Sequence, residues 1–222
     1  WKGDKNLKIL CGGEALTRDL SDQLLSRCGA LWNMYGPTET TVWSAIHQVH
    51  AEEQIILIGN PIDNTKIHIL DTNFQPAPVG GTGELYIGGD GLARGYHNRP
   101  ELTDERFVTD PFDAERRLYR TGDLARWRPD GTIECLGRVD FQVKVRGHRI
   151  ELGEIESALS NYEHIAQAVV IAREDSPGDK RLVGYYTATD GAEIAAGDLR
   201  HLLRESLPEY MVPSAFANLE AF

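Results

Sequence analysis

Tyr35 to Glu39 form a five-residue segment, YGPTE, that brings several chemically useful side chains together. It offers an aromatic face, the hydroxyl of Thr38 and the carboxylate of Glu39. Such a set can stack on a nucleotide base, hydrogen-bond a phosphate oxygen and hold Mg²⁺, which prefers oxygen ligands. A type I or type II turn with Pro37 at its second position explains the Gly-Pro pair equally well, so both interpretations stay open.

Polar or glycine-rich positions also follow two predicted strands. Gly12 and Gly13 come directly after an apolar run, where glycine either lets the backbone approach a ligand or simply forms a tight turn. Asp123 follows Gly122, and its carboxylate can accept two ribose hydroxyls, although an Asp after Gly is more often a turn residue. The residues alone do not decide between these alternatives.

The stretch 137–156 is dense in charge, which is typical of a solvated strand and helix face. His148 within it has the character of an ordinary surface residue. The sequence lacks a Ser-His-Asp order, a nucleophile elbow and an HExxH motif, so a hydrolase has little support.

Strands and helices must position these polar segments, and the periodicity predicts a mixture of both. Residues 7–10 predict a strand, and leucines recur at helical spacing from Leu16 to Leu25. Residues 33–41 are typical of a polar loop. A β-rich unit follows, with strands predicted at 66–70, 84–87, 118–120 and 132–136.

The pattern changes after Phe141. It predicts a strand at 141–145, a helix after Glu151, and two strands at 168–172 and 182–187 joined by a turn at 176–179. A last helix is predicted with Asp198 as its N-cap and Leu199, Leu202 and Leu203 as its apolar stripe. These elements can cover one another as a small α+β lobe.

Composition excludes several function classes. The 222 residues, 41% hydrophobic and 26% charged, fit one medium and one small globular unit. The net charge of -11 disfavours nucleic acid and anionic membranes as partners. No apolar run is long enough to span a bilayer, so a cytoplasmic protein is expected. Cys11, Cys28 and Cys135 lack the spacing of a zinc site or a disulfide framework and are expected to be reduced.

Six motifs together resemble the adenylation domains of nonribosomal peptide synthetases. In order they are LKILCGGEAL, NMYGPTE, GELYIGGDGLARGY, YRTGDL, GRVDFQVKVRGHRIELGEIE and LPEYMVP. These domains belong to the acyl-adenylate-forming superfamily, which also holds acyl-CoA ligases and luciferases. The motifs follow the family's order and cover nearly the whole chain.

The resemblance implies a fold that is part α/β and part α+β. Residues 1–139 would be the C-terminal part of the large adenylation core lobe, with a strand–helix segment followed by a β-rich subdomain. Residues 140–222 would be most of the small α+β C-terminal lobe.

The resemblance also implies a ligase that works in two half-reactions. ATP and Mg²⁺ activate an amino acid as its aminoacyl-adenylate, and the phosphopantetheine thiol of a peptidyl carrier domain then takes the aminoacyl group. Neighbouring synthetase domains are the other implied partners, and the pathways served include antibiotic and siderophore biosynthesis.

Site residues carry over where the motifs match. Asn33 and Tyr35 resemble adenine contacts, with Gly12 and Gly13 letting the backbone lie against base and substrate. Thr38 resembles the α-phosphate contact, and Glu39 the Mg²⁺ carboxylate.

The later motifs add four positions. Asp123 resembles the ligand of the ribose diol and Arg138 a ribose and phosphate contact, so Thr38, Glu39 and Arg138 are the catalytic candidates. Asp140 matches the hinge between the two lobes, and Gly147 matches a glycine that lines the pantetheine tunnel.

The resemblance places part of the side-chain pocket at Leu10, Gly12, Met34, Val42 and Trp43. This lining is uncharged, so it cannot compensate a buried charged substrate side chain, and the indole fills much of the volume. It predicts glycine or another small amino acid such as cysteine or alanine. The alternative is that Trp43 packs under the loop.

Departures from the family matter as much as the matches. The family's phosphate loop and the Asp that holds the α-amino group lie upstream of Gly12, and its Asn-Gly-Lys motif would start just beyond Phe222. The sequence therefore predicts a fragment that is inactive alone. Cys135 stands where an aromatic residue is commoner. Two alternatives to a synthetase fragment stay open: a piece of an acyl-CoA ligase-like enzyme, and a non-catalytic folding or interaction unit.

Overall fold

The computed structural model describes residues 1–175, 179–189, 192 and 194–222. The chain forms two compact units, Trp1–Asp140 (unit 1) and Phe141–Phe222 (unit 2). The division falls one residue after the boundary expected from the sequence. The turn predicted at 176–179 lies outside the described residues except for Asp179.

Unit 1 begins with a four-stranded sheet in the order β1-β2-β3-β4. Its strands are β1 (Lys8–Gly12), β2 (Ala30–Tyr35), β3 (Ala45–Val49) and β4 (Asn60–Pro61). Strands β1 and β2 are parallel, and helix α1 (Arg18–Leu25) connects them. The Thr17 hydroxyl caps α1 by accepting a hydrogen bond from the Leu20 amide, which confirms the predicted helix. Leu16, Leu31 and Val49 form the small core of this sheet.

The prediction of a loop from residue 33 is wrong for its first three positions. Asn33, Met34 and Tyr35 belong to β2, which pairs with β1 on one side and β3 on the other. Backbone pairing with two neighbours outweighs the polar and turn-forming composition here. Thr38–Thr40 then form a short 3₁₀ helix.

The second sheet of unit 1 is antiparallel, in the order β5-β6-β8-β7, with β9 paired to β8. Its strands are β5 (Thr65–Leu70), β6 (Gly83–Gly89), β7 (Phe107–Asp110), β8 (Asp113–Trp127) and β9 (Ile133–Arg138). The four strands predicted for this region are confirmed, although β8 is much longer than expected because three neighbours pair along its length. The Ile133 amide donates to the Gly59 carbonyl over 2.8 Å and ties this sheet to the first one.

Helix α2 (Pro100–Arg106), which precedes β7, was not predicted. All seven of its residues are described and none is buried. A helix without a buried apolar stripe leaves no periodic signal in the sequence.

Unit 2 packs two helices on a three-stranded sheet. It opens with the hairpin of β10 (Val143–Val145) and β11 (His148–Ile150), followed by α3 (Leu152–Ser160). Strands β12 (Ile165–Glu174), β13 (Lys180–Ala188) and β14 (Ala215–Asn218) form the sheet, and α4 (Ala196–Ser206) lies between the last two in sequence. The core includes Ile155, Leu159, Val170, Leu199 and Leu203.

Two details of unit 2 correct the sequence analysis. The N-cap of α4 is Ala195, and Asp198 lies inside the first turn, where its negative charge favours the positive end of the helix dipole. The strand predicted at 141–145 begins only at Val143. The mixed fold class itself is confirmed.

Among the described residues, every helix is too short or too polar to cross a membrane.

Candidate functional site

Strand β8 holds the Tyr35–Glu39 segment through two hydrogen bonds between a phenol and a carboxylate. The Tyr35 hydroxyl donates to Oδ2 of Asp123 on β8. The Tyr119 hydroxyl, also on β8, donates to Oε1 of Glu39 over 2.8 Å. We call this pair of bonds the phenol latch. It fixes the two carboxylates relative to each other through one rigid strand.

Glu39 is 8% exposed and is held by a second phenol. The Tyr96 hydroxyl donates to Oε1 of Glu39 over 2.6 Å. Burial raises the pKa of Tyr96, and its hydrogen bond to Glu39 raises it further, so this donor stays neutral. Neither Tyr96 nor Tyr119 is among the residues predicted from the sequence, although each lies in one of the motifs that carry the family resemblance.

Arg138 joins Asp123 to Asp140. Its Nη1 donates to Oδ1 of Asp123 over 2.6 Å, while Nε and Nη2 donate to the two oxygens of Asp140 over 2.6 and 2.7 Å. Burial opposes the charge, but the hydrogen bonds and charges of both carboxylates raise the pKa of Arg138 above its ordinary value. Gly122 beside this network has a φ of 76°, which favours glycine, and a Cβ there would lie 2.7 Å from Nη2 of Arg138.

Arg106 is a further residue that the sequence analysis missed. Arg106 is the last residue of α2, and its Nη1 lies 4.0 Å from Oδ2 of Asp140. Asp140 therefore faces two guanidinium groups.

The candidate adenine contacts have separate partners. Nδ2 of the buried Asn33 donates to the Leu57 carbonyl over 2.7 Å, whereas the Tyr35 hydroxyl reaches Asp123. Gly13 has a φ of 93°, and a Cβ there would meet no described atom within 4 Å. The backbone conformation, rather than lack of space, therefore requires glycine at this position.

Three of the pocket candidates share one face of the first sheet. Gly12 pairs with Met34, and Leu10 lies two residues earlier on the same face of β1. The Trp43 ring lies against Gly12, because a Cβ built there would be 2.4 Å from Cζ3 of the indole and 2.6 Å from the Met34 carbonyl oxygen. Leu10 is 59% exposed, so the face remains open beside the indole.

The backbone after Glu39 is strained. Thr41 and Val42 have φ values of 61° and 69°, although left-handed backbone is rare for β-branched residues. Contacts from residues 91–93 hold the segment: Oγ1 of Thr41 donates to the Gly91 carbonyl over 2.7 Å, and the Ala93 amide donates to the Glu39 carbonyl over 2.8 Å. Thr38 is exposed at the start of the 3₁₀ helix, and the Val42 side chain is also exposed.

Gly147 lies in the two-residue turn of the β10–β11 hairpin. Arg146 and Gly147 have φ values of 52° and 79° between the paired residues Val145 and His148. Such a turn requires positive φ at both central positions, which accounts for the glycine. Its place in a pantetheine tunnel stays a prediction.

Comparisons with known proteins agree with this architecture. The model of the AMP-binding enzymes matches residues 3–97, and the model of the AMP-binding enzyme C-terminal domain matches residues 154–222. A dimodular nonribosomal peptide synthase from Bacillus subtilis is 51% identical over 218 residues, which are 97% of this chain and 9% of that protein.

Two solved structures resemble the chain. The four-domain nonribosomal peptide synthetase holo-AB3403, bound to AMP and glycine, is 48% identical with a TM-score of 0.60, over 100% of this chain and 17% of that one. The Vibrio cholerae adenylation domain AlmE, in complex with glycyl-adenosine-5'-phosphate, is 26% identical with a TM-score of 0.87, over 97% of this chain and 42% of that one.

The fold is thus that of an adenylate-forming protein. The chain belongs to the AMP-binding enzymes, as the family resemblance indicated. It spans 9% of the first relative and less than half of either solved chain.

The phenol latch predicts a dependence of stability on alkaline pH. Burial, the charge of Asp123 and the hydrogen bond to it raise the pKa of Tyr35 well above its ordinary value. The folded protein therefore holds this proton more tightly than the unfolded chain, and the stabilisation, complete below about pH 10, is lost as the pH rises further.

We expect the free energy of unfolding to fall more steeply above about pH 10 in the wild-type protein than in Tyr35→Phe, by up to about 1.4 kcal/mol per pH unit. Urea unfolding at a series of alkaline pH values measures this slope. Equal slopes in the two proteins would show that folding does not hold Tyr35 in its neutral form.

Proposed function

We propose that this chain is part of an enzyme that uses ATP to activate an amino acid as its adenylate. The carboxylate of the amino acid attacks the α-phosphate, forming a new P–O bond as the bond to pyrophosphate breaks. The observation that carries the proposal is the phenol latch, which fixes Asp123 on β8 and holds Glu39 of the neighbouring segment against the same strand. Phosphoryl transfer depends mainly on such positioning and on neutralising charge.

Asp123 is the proposed ligand of the ribose diol. Tyr35 and Arg138 each donate to one of its oxygens. An ionised carboxylate has about four acceptor positions, so two ribose hydroxyls can donate to it as well. Arg138 stays charged beside it and can also donate to a phosphate oxygen, and the Tyr35 ring can lie against the adenine.

Glu39 is the proposed Mg²⁺ ligand, and Thr38 the proposed hydroxyl contact of the α-phosphate. Among the described residues, groups of three or more His, Cys, Asp or Glu side chains that could hold a metal are missing. That fits Mg²⁺ rather than a metal in an all-protein cage, because Mg²⁺ commonly takes one or two carboxylates and completes its shell with substrate phosphates and water. When bound, the ion would neutralise phosphate charge.

Glycine or another small amino acid is the proposed substrate. The indole of Trp43 covers Gly12 on the face that carries Leu10 and Met34, and Val42 is exposed next to it in sequence. The solved relatives bound to glycine and AMP, and to glycyl-adenosine-5'-phosphate, support the same size of substrate.

The remaining steps rest on the family. Residues 1–139 would belong to the large lobe and 140–222 to the small lobe, with Asp140 as the hinge and Gly147 beside the pantetheine arm. The carrier domain's phosphopantetheine thiol would take the aminoacyl group, in a cytoplasmic multidomain synthetase of the kind that makes peptide antibiotics or siderophores. The relative at 51% identity is a dimodular nonribosomal peptide synthase, which supports this route over an acyl-CoA ligase.

The complete adenylation domain that contains this chain provides the test of the ribose role. Asp123→Asn keeps the size of the side chain but removes its charge, so we expect kcat/KM for amino-acid-dependent exchange of pyrophosphate into ATP to fall about 10²- to 10³-fold. Asp130→Asn, at an exposed turn, is the matched control and should stay within about twofold. A loss below about fivefold for Asp123→Asn would reject the role.

Substrate profiling tests the pocket. In the complete domain, Trp43→Ala should enlarge the space above Gly12 and shift preference from glycine toward valine or leucine by about tenfold or more. Trp1→Ala removes an exposed indole and should leave the profile unchanged. The small pocket is wrong if the wild-type domain already prefers a large aromatic or charged amino acid.

Paired substitutions at Asp140 test the hinge. Asp140→Ala removes the carboxylate but leaves the backbone free, whereas Asp140→Pro also fixes φ near -65°. We expect the rate of thioester formation to be at least about tenfold lower in Asp140→Pro than in Asp140→Ala, whereas the rate of adenylation should be similar in the two variants. Equal loss of the two half-reactions in Asp140→Pro would contradict a hinge.

A further inference from the structure

Unit 2 contains a cavity of about 570 Å³ that the sequence analysis did not anticipate. It lies between the β10–β11 hairpin, the start of β13, α4 and residues 209–214. We call it the basic cleft, because five of the eight Lys and Arg residues of unit 2 line it. They are Arg146, Lys180, Arg181, Arg200 and Arg204.

This concentration of positive charge runs against the composition of the unit. Residues 141–222 contain thirteen Asp and Glu, yet Glu209 is the one carboxylate among the described residues that line the cleft. Positive charge gathered in a concave site focuses the field and attracts anions there, even when the whole protein is acidic.

The cations are held in place but not all neutralised. Arg204 donates through Nε and Nη2 to Glu209 over 2.8 and 2.7 Å, and Arg200 donates through Nη2 to the Ser214 carbonyl over 2.9 Å. Arg181 donates to Asp175. Lys180 forms no ion pair with any residue that the structure describes, and Arg146 is 78% exposed with its nearest carboxylate 3.7 Å away.

An aromatic pair forms one wall of the cleft. The rings of His148 and Tyr210 stack with centroids 4.0 Å apart and planes 6° from parallel. The pair connects the hairpin to the 209–214 segment and adds a phenol hydroxyl to the donors in the cleft.

We propose that the basic cleft binds a phosphate-bearing anion. Guanidinium groups offer forked donors that match phosphate oxygens, and an ammonium group such as that of Lys180 adds a mobile point charge. Arg181 and Arg204 already meet carboxylates, so Lys180, Arg200 and the exposed Arg146 are the groups that the anion would engage, and a diphosphate or a phosphate ester offers oxygens to more than one of them. Pyrophosphate and the phosphate of a pantetheine arm are two sources of this chemistry. The proposed anion site lies within unit 2 and does not depend on the activity proposed for unit 1.

Calorimetric titration of the full 222-residue chain with inorganic pyrophosphate, without divalent cations and at low salt, tests the proposal. Lys180→Ala/Arg146→Ala removes two cations with little structural role, so we expect the affinity to fall about tenfold or more. Lys2→Ala/Arg116→Ala removes the same charge from unit 1 and should change it less than about twofold.

Parallel titrations with 4'-phosphopantetheine and with dephosphorylated pantetheine identify the source. Tighter binding of phosphopantetheine than of pyrophosphate would assign the cleft to a pantetheine arm, and the reverse to a free diphosphate. Pantetheine itself should not bind, because it lacks the phosphate.

Lys180→Arg/Arg146→Lys keeps both charges and should retain the affinity, which separates loss of charge from loss of folding. Absence of pyrophosphate and phosphopantetheine binding to the wild-type chain would overturn the proposal. So would unchanged affinity in a folded Lys180→Ala/Arg146→Ala protein.

Discussion

The phenol latch between β8 and the Tyr35–Glu39 segment is the constraint on which the candidate site depends. Its chemistry differs from that of an ion pair, because a neutral phenol binds a carboxylate without cancelling its charge. Tyr96 and Tyr119 hold Glu39 in this way, whereas Asp123 accepts from both a phenol and the cationic Arg138. Strand β8 thus fixes two carboxylates in different electrostatic settings, its own Asp123 and the neighbouring Glu39, of which Glu39 suits a cation and Asp123 suits neutral hydroxyls.

The strained turn after Glu39 is a consequence of that latch. With Glu39 fixed from β8 and β3 beginning at Ala45, few residues remain to reverse the chain, and Thr41 and Val42 take left-handed conformations. Each such conformation costs about 1–3 kcal/mol and persists only where surrounding contacts hold it. The hydrogen bonds that Gly91 accepts from Thr41 and that Ala93 donates to Glu39 supply those contacts, so the loop after β6 also holds the segment.

The sequence predicted local features better than distant ones. Helix α1 and the strands of the second sheet follow from periodicity and turn residues, which are local. The donors to Glu39 lie 57 and 80 residues away, and only the path of the chain brings Tyr96 and Tyr119 to it. Asn33 illustrates the same limit. The polar composition of residues 33–41 favours a loop, but pairing with β1 and β3 makes Asn33 part of a sheet.

The contact between Gly12 and Trp43 has an evolutionary consequence. The indole occupies the space that a side chain at position 12 would need, and the Met34 carbonyl oxygen, 2.6 Å from a Cβ built there, blocks the same position from the backbone. A smaller residue at 43 therefore leaves a void without making room for a side chain at 12. Glycine at 12 should stay constant among relatives while residue 43 varies, so a change of substrate by this route begins at the indole.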